Sequence, residues 1–106
     1  MSQVKQITPD AFDVEVRQSA EPVLVVFVAT WSGECTQFSP ALDDIARKYG
    51  NRVKIIKCDV DECQEAATDF DVSCMPTAIL LKNGEIDAAF SGSQKSKLIE
   101  MLDKFI

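Results

Sequence analysis

Four cysteines and no histidine set the chemistry open to this chain of 106 residues. A thiolate is a nucleophile and a metal ligand, whereas a serine hydroxyl stays protonated near neutral pH unless a base stands beside it. With no histidine to act as that base, a serine nucleophile of the triad kind has no partner here. The run Trp31, Ser32, Gly33, Glu34, Cys35 follows an apolar stretch and opens a helical pattern. Ser32 has the side chain of a helix N-cap, which makes Cys35 the third residue of the helix, close to its unpaired backbone N–H groups.

The other three thiols divide by position. Cys58 ends an apolar run and Cys63 lies on the apolar face of a short helical pattern, so both read as small core residues. With Cys74 they invite a zinc site, but the Cys-x4-Cys spacing matches no zinc knuckle, and no metal is expected. Asp59, Asp61 and Glu62 lack the central glycine and terminal glutamate of a calcium loop and read as helix N-terminal charges. Cys74 precedes Met75 and Pro76 and is expected at the surface as a candidate regulatory thiol. Oxidation, an intermolecular disulfide and an inert thiol are all open to it.

The elements that must position these residues are legible in the hydrophobic pattern. Residues 4–7 suggest a short strand, and Thr8 followed by Pro9 suggests an N-cap and first helical position for a helix over 9–18. Residues 23–29 form a continuous apolar, β-branched run, the pattern of a strand buried on both faces. After Ser32, the residues Phe38, Leu42, Ile45, Ala46 and Tyr49 recur at helical spacing, with Pro40 predicting a bend and Gly50 a stop. A strand is predicted over 53–58, and Ala66, Ala67 and Phe70 with Cys63 mark a short helix. Strands over 77–81 and 86–90 flank Asn83-Gly84, a hairpin signal. A closing helix is predicted from Ser93, with Leu98, Ile99, Leu102, Phe105 and Ile106 on its apolar side. The predicted class is α/β, with helices on both faces of a mixed sheet.

Four features in this order resemble the thioredoxin family over essentially the whole chain. They are Ala29-Thr30-Trp31-Ser32-Gly33-Glu34-Cys35, Pro40 within the following helix, Met75-Pro76-Thr77 before the hairpin, and Phe90-Ser91-Gly92 before the last helix. The segment from Asp59 to Cys63 and the pair Cys74-Met75 are most similar to the animal cytosolic branch. The resemblance implies a single thioredoxin-fold domain over 1–106, a central five-stranded mixed sheet flanked by four helices, and no cofactor. It also implies a cis Met75–Pro76 bond and a substrate surface made by Trp31, Gly33, Glu34, Met75, Pro76 and Gly92. The family site is Trp-Cys-Gly-Pro-Cys, so Ser32 stands at the position of the attacking cysteine and Cys35 at that of the resolving one, with Glu34 in place of proline. Val26 stands where the family usually carries a buried aspartate, which leaves Lys57 without that acidic neighbour. Two functions follow. One is a protein-disulfide reductase whose attacking thiol has been replaced, leaving it inactive or substrate-trapping. The other is a naturally redox-silent module that keeps the family's protein-binding surface. Cys35 acting alone or pairing with Cys74 is a variant of the first.

Charge and composition narrow the partners. A net charge of −6 and a pI near 4.5 argue against nucleic acid and anionic membrane. The expected partners are disulfide-containing proteins, and thioredoxin reductase if the protein is active. The N-terminal residues from Met1 carry no apolar signal core, and the longest apolar run is far shorter than the ~20 residues of a membrane helix. Four thiols without such a signal suit a reducing compartment, so a cytoplasmic monomer is expected, with a disulfide-linked dimer through Cys74 as its one expected assembly.

Overall fold

The structure is a computed structural model that describes residues 4–106; Met1, Ser2 and Gln3, part of the segment read above for a signal, lie outside the described residues. Five strands form one mixed sheet: β1 (Lys5–Gln6), β2 (Val23–Val28), β3 (Lys54–Asp59), β4 (Thr77–Lys82) and β5 (Glu85–Ser91), in the order β1-β3-β2-β4-β5. β2 runs parallel to β3 and antiparallel to β4, with Val26 opposite both Lys57 and Ala78. The helices are α1 (Pro9–Phe12), α2 (Gly33–Tyr49), α3 (Gln64–Asp69) and α4 (Lys95–Phe105). This is the thioredoxin fold.

β2 lies at the centre because its side chains are apolar on both faces. Leu24 and Val26 enter one core with Phe38, Leu42, Ile45 and Tyr49 of α2 and Leu98 and Leu102 of α4. Val23, Val25 and Phe27 enter the other, against Phe12 of α1 and Cys63 and Ala66 at α3. Each fully buried Leu, Val or Phe contributes roughly 1.5–3 kcal/mol through removal of apolar surface from water, so β2 is the strand the fold can least spare. Tyr49 is fully buried, and its hydroxyl donates to Asp103 Oδ1, tying the end of α2 to α4. Burial and the facing Asp103 carboxylate push its phenol above the ordinary value.

Several boundaries differ from the sequence expectation. The helix predicted over 9–18 is α-helical only to Phe12 and continues as a π-helical turn, Asp13–Arg17. That register keeps both Phe12 and Val16 in the core. Thr8 precedes α1 in an extended conformation, but its side chain makes no capping bond. α2 passes through Pro40, which lies on its exposed side, and Gly50 closes it in a right-handed conformation (φ −59°) rather than the left-handed one favoured by a glycine stop. Ser93 does not open the last helix; Gln94 occupies the cap position and α4 begins at Lys95. Asn83 and Gly84 both have positive φ, 54° and 79°, as a two-residue hairpin turn of the primed type requires.

That turn also packs against the π-helical turn across the molecule. A Cβ on Gly84 would lie 2.6 Å from the backbone carbonyl oxygen of Arg17. Gly84→Ala therefore combines an unfavourable backbone conformation with a clash against main chain, and it is expected to destabilise the protein by more than ~1 kcal/mol in urea unfolding, with an unchanged m-value.

Candidate active site

The sheet brings the chemistry-bearing residues to one end. β2 and β3 finish there, β4 starts there, and β5 returns there. The segments just beyond those ends are therefore neighbours: Ala29 to Cys35 after β2, Asp59 to Cys63 at the end of β3, Cys74 to Pro76 before β4, and Gly92 after β5. The sequence scatters these residues over more than sixty positions, and the topology gathers them.

The turn from β2 into α2 is built by Ser32. Its φ and ψ are −91° and 120°, and its Oγ accepts a hydrogen bond from Cys35 N–H at 3.3 Å, so the expected N-cap is present. Its carbonyl accepts both the backbone N–H and the side-chain hydroxyl of Thr36, each at 3.2 Å. Cys35 is buried, and its Sγ accepts from Ala29 N–H at 3.5 Å, which closes the turn from the inside. Gly33 and Glu34 are exposed at the N-terminus of a helix of 17 residues. The Glu34 carboxylate sits in the first turn, where the helix dipole favours it.

Trp31 is 67% exposed, and its indole Nε1–H donates to Asp61 Oδ2 at 3.0 Å. The sequence reading missed this bond. Spacing alone suggests that Asp59, Asp61 and Glu62 are charges at a helix N-terminus, but α3 begins only at Gln64, after Cys63. Asp59 is the last residue of β3, 7% exposed, and its Oδ1 takes the N–H of Asp61 at 2.8 Å, which shapes the turn that presents Asp61 to Trp31. Nothing in the local pattern around Asp61 signals a partner 30 residues away.

The peptide bond between Met75 and Pro76 is cis. Pro76 is buried, and its carbonyl accepts from Gly92 N–H at 2.9 Å. Gly92 holds φ at 130°, a conformation that L side chains rarely adopt, so the loop after β5 needs a glycine to make this contact. Among the described residues, the backbone N–H and C=O of Met75 make no hydrogen bond, and Met75 is only half-buried. That pair of groups is free to accept an added extended strand. Cys74 is exposed beside it; its carbonyl accepts from the Thr77 hydroxyl at 2.6 Å, and its thiol lies 3.8 Å from Ser73 Oγ.

A cleft of about 290 Å³ opens behind the start of α2, lined among others by Ala29, Cys35, Phe38, Lys57 and Asp59. Val26 is fully buried in the apolar core beside it and supplies no charge to Lys57, its register partner. Lys57 forms no ion pair with any described residue, although Asp59, two positions along β3, shares its cleft. All four cysteines are free thiols.

The Thioredoxin family profile matches residues 3–104. Similar proteins include thioredoxin 1 of Synechococcus elongatus, 35% identical with all of both chains covered, and thioredoxin of Callithrix jacchus, 38% identical over 97% of this chain and 99% of the relative. Thioredoxin of Haemophilus influenzae is 36% identical, again with both chains fully covered.

The cap at Ser32 yields a measurable expectation. Ser32→Ala removes the acceptor for Cys35 N–H and should lower stability by ~0.5–2 kcal/mol in chemical denaturation, whereas Ser32→Asp should retain most of it.

Proposed function

Because this chain belongs to the thioredoxin family, we propose that it docks disulfide-containing proteins as a thioredoxin-type disulfide reductase does, but with Ser32 at the attacking position, so that turnover is lost while the docking face is kept. The single observation that carries this reading is the open backbone of Met75, at the same end of the sheet as the Ser32 cap and the exposed Trp31. An extended peptide adding to Met75 would lay its disulfide toward the start of α2, between Trp31 and Gly92.

Disulfide exchange needs a thiolate at that point. A cysteine there attacks one sulfur of the substrate disulfide and expels the other as a thiol; Cys35 then attacks the mixed disulfide and releases the reduced substrate. The serine hydroxyl keeps its proton, since the chain has no histidine to remove it. Cys35 cannot take over the first step in its present place, since its sulfur is buried behind the helix start and engaged by Ala29 N–H. Glu34 adds a negative charge beside the attacking position, where it opposes a neighbouring thiolate. Val26 supplies no carboxylate to pass a proton to or from Cys35.

Val26 and Glu34 support a second reading, a redox-silent module that binds proteins through the same face, because silencing a reductase needs only the one change at position 32. Thioredoxin reductase is the electron donor on the first reading and is dispensable on the second. The run from Asp59 to Cys63 and the Cys74-Met75 pair support membership of the animal cytosolic branch, and a reducing cytoplasm suits four free thiols. The exposed Cys74, beside the docking loop, supports a disulfide-linked dimer of an otherwise monomeric chain.

The chain as it stands is expected to show no turnover of a protein disulfide with dithiothreitol as reductant, and Ser32→Cys to restore it. Full activity without that change would refute the role given to position 32. Failure of both Ser32→Cys and the triple change Ser32→Cys, Glu34→Pro, Val26→Asp to restore turnover would favour the binding module. On a non-reducing gel after mild oxidation, dimer should form with the unsubstituted chain and disappear in Cys74→Ser; dimer persisting in that variant would assign the link to another thiol.

A further inference from the structure

The face of the sheet turned toward α2 ends in charge. Ile55 belongs to the core beneath α2 and α4, whereas Ile56 and Cys58 belong to the opposite one. Strand alternation therefore puts Lys57 and Asp59 on the α2 side, in line with Ile55. Both line the cleft of about 290 Å³ behind the start of that helix, over a floor made by Val28, Ala29, Phe38 and Leu42. A partner docked on Trp31 and Met75 makes no use of it.

The two charges are unspent. Asp59 is only 7% exposed, and Asp61 N–H occupies its Oδ1, while its Oδ2 accepts no hydrogen bond from any described residue. Lys57 is half-buried, and its Nζ pairs with no described residue, Asp59 included. A carboxylate so sheltered, and an ammonium beside apolar side chains, are both stabilised by a group of opposite charge brought into the cleft.

The lining selects its occupant by charge and size. An anion alone would meet the Asp59 carboxylate, a cation alone the Lys57 ammonium, and an uncharged apolar molecule would cover both without pairing either. A molecule with one charge of each sign on an apolar body satisfies all three parts of the lining. A volume of about 290 Å³ lies at the lower bound of ordinary ligand cavities, which limits that molecule to the size of one amino acid. We propose that the cleft binds an apolar α-amino acid as its zwitterion, with the carboxylate on Lys57 Nζ, the ammonium on Asp59 Oδ2 and the side chain against Phe38 and Leu42.

Occupancy is felt at two points outside the cleft. Cys35 lines the same space, so a molecule seated there covers its sulfur from behind. Asp59 also shapes, through its Oδ1, the turn whose Asp61 takes the indole N–H of Trp31. An ammonium on the other oxygen of that carboxylate therefore changes the surroundings of Trp31, the only tryptophan in the chain. Its emission reports binding, and alkylation of Cys35 locates it.

L-Phenylalanine is the probe, compared with phenethylamine, which lacks its carboxylate, and hydrocinnamate, which lacks its ammonium. A ligand of about a dozen heavy atoms is held in the millimolar range or more tightly, so titrating the unsubstituted protein to about 10 mM should give a saturable change in Trp31 emission. Iodoacetamide should then label Cys35 more slowly, with labelling of the exposed Cys74 unchanged. Each single-charge analogue should bind about tenfold more weakly, the loss expected for one missing charged hydrogen bond. Lys57→Met should weaken L-phenylalanine and hydrocinnamate but not phenethylamine. Asp59→Asn, which keeps an acceptor for Asp61 N–H, should weaken L-phenylalanine and phenethylamine but not hydrocinnamate. No saturable change, equal binding of the three compounds, an emission change without protection of Cys35, or full binding of L-phenylalanine by either variant would overturn the proposal. No readout involves turnover or a docked peptide, so the outcome is independent of the role of Ser32.

Discussion

The start of α2 is fixed by two hydrogen bonds that run in opposite directions through Cys35. Its N–H goes out to Ser32 Oγ, and its sulfur takes the N–H of Ala29 from within. Together they set how sharply the chain leaves the central strand and how deep the thiol sits. Everything on the active face is referenced to that corner: Trp31 precedes it, Gly33 and Glu34 stand on its outer side, and the cleft holding Lys57 and Asp59 opens behind it. The corner tolerates serine because the cap needs only an acceptor, and an oxygen is a better acceptor than sulfur. Disulfide exchange makes the opposite demand, for a polarizable atom that ionises near neutral pH. The same position thus satisfies the fold with a hydroxyl, and on the proposed reading it leaves disulfide exchange without its nucleophile.

The sheet explains why such distant residues meet. A mixed sheet with β2 parallel to β3 and antiparallel to β4 puts the ends of β2, β3 and β5 and the beginning of β4 at one edge. Apolar side chains on both faces of β2 bury it between two helical layers, so loops bearing polar groups are pushed to the strand ends, where backbone groups can remain solvated. The free N–H and C=O of Met75 are a product of this arrangement. They lie just before β4 begins its pairing with β2 and β5, held from behind by the bond between Pro76 and Gly92.

Much of this was legible in the sequence wherever the signal is local. The buried strand was visible as an unbroken apolar run, the cap as a serine three residues ahead of Cys35, and the hairpin as Asn83-Gly84, because each reflects a preference of the chain for its own conformation. The failures have the opposite character. The switch to a π-helical turn after Phe12 is imposed by the need to keep Phe12 and Val16 in one core, and no propensity announces it. Ser93 has the side chain of a cap, but α4 starts two residues later, at Lys95. The bond from Trp31 to Asp61 depends on where β3 ends relative to its neighbours. The acidic run from Asp59 to Glu62 looked like helix-terminal charge because a sequence window sees spacing and not the turn that Asp59 folds around its own carboxylate.

Val26 shows how packing constrains chemistry at the centre of the sheet. A carboxylate at the centre of β2 would be fully buried, and an unpaired buried charge costs several kcal/mol unless a partner offsets it. Lys57, directly alongside in register, is the one cation among the described residues that line that cleft. With valine in the strand, the apolar core closes over Phe38 and Leu42 without that cost, and Lys57 is left half-buried at the mouth of the cleft with Asp59 as the acid that shares it. The acid in the cleft is thus on β3 instead of β2, at the strand end, with its Oδ1 engaged by Asp61 N–H. The carboxylate that shares the cleft with Cys35 is therefore that of Asp59, and position 26 offers none. A carboxylate at position 26 would trade packing at the centre of the sheet for charge beside the cleft, and this sequence keeps the packing.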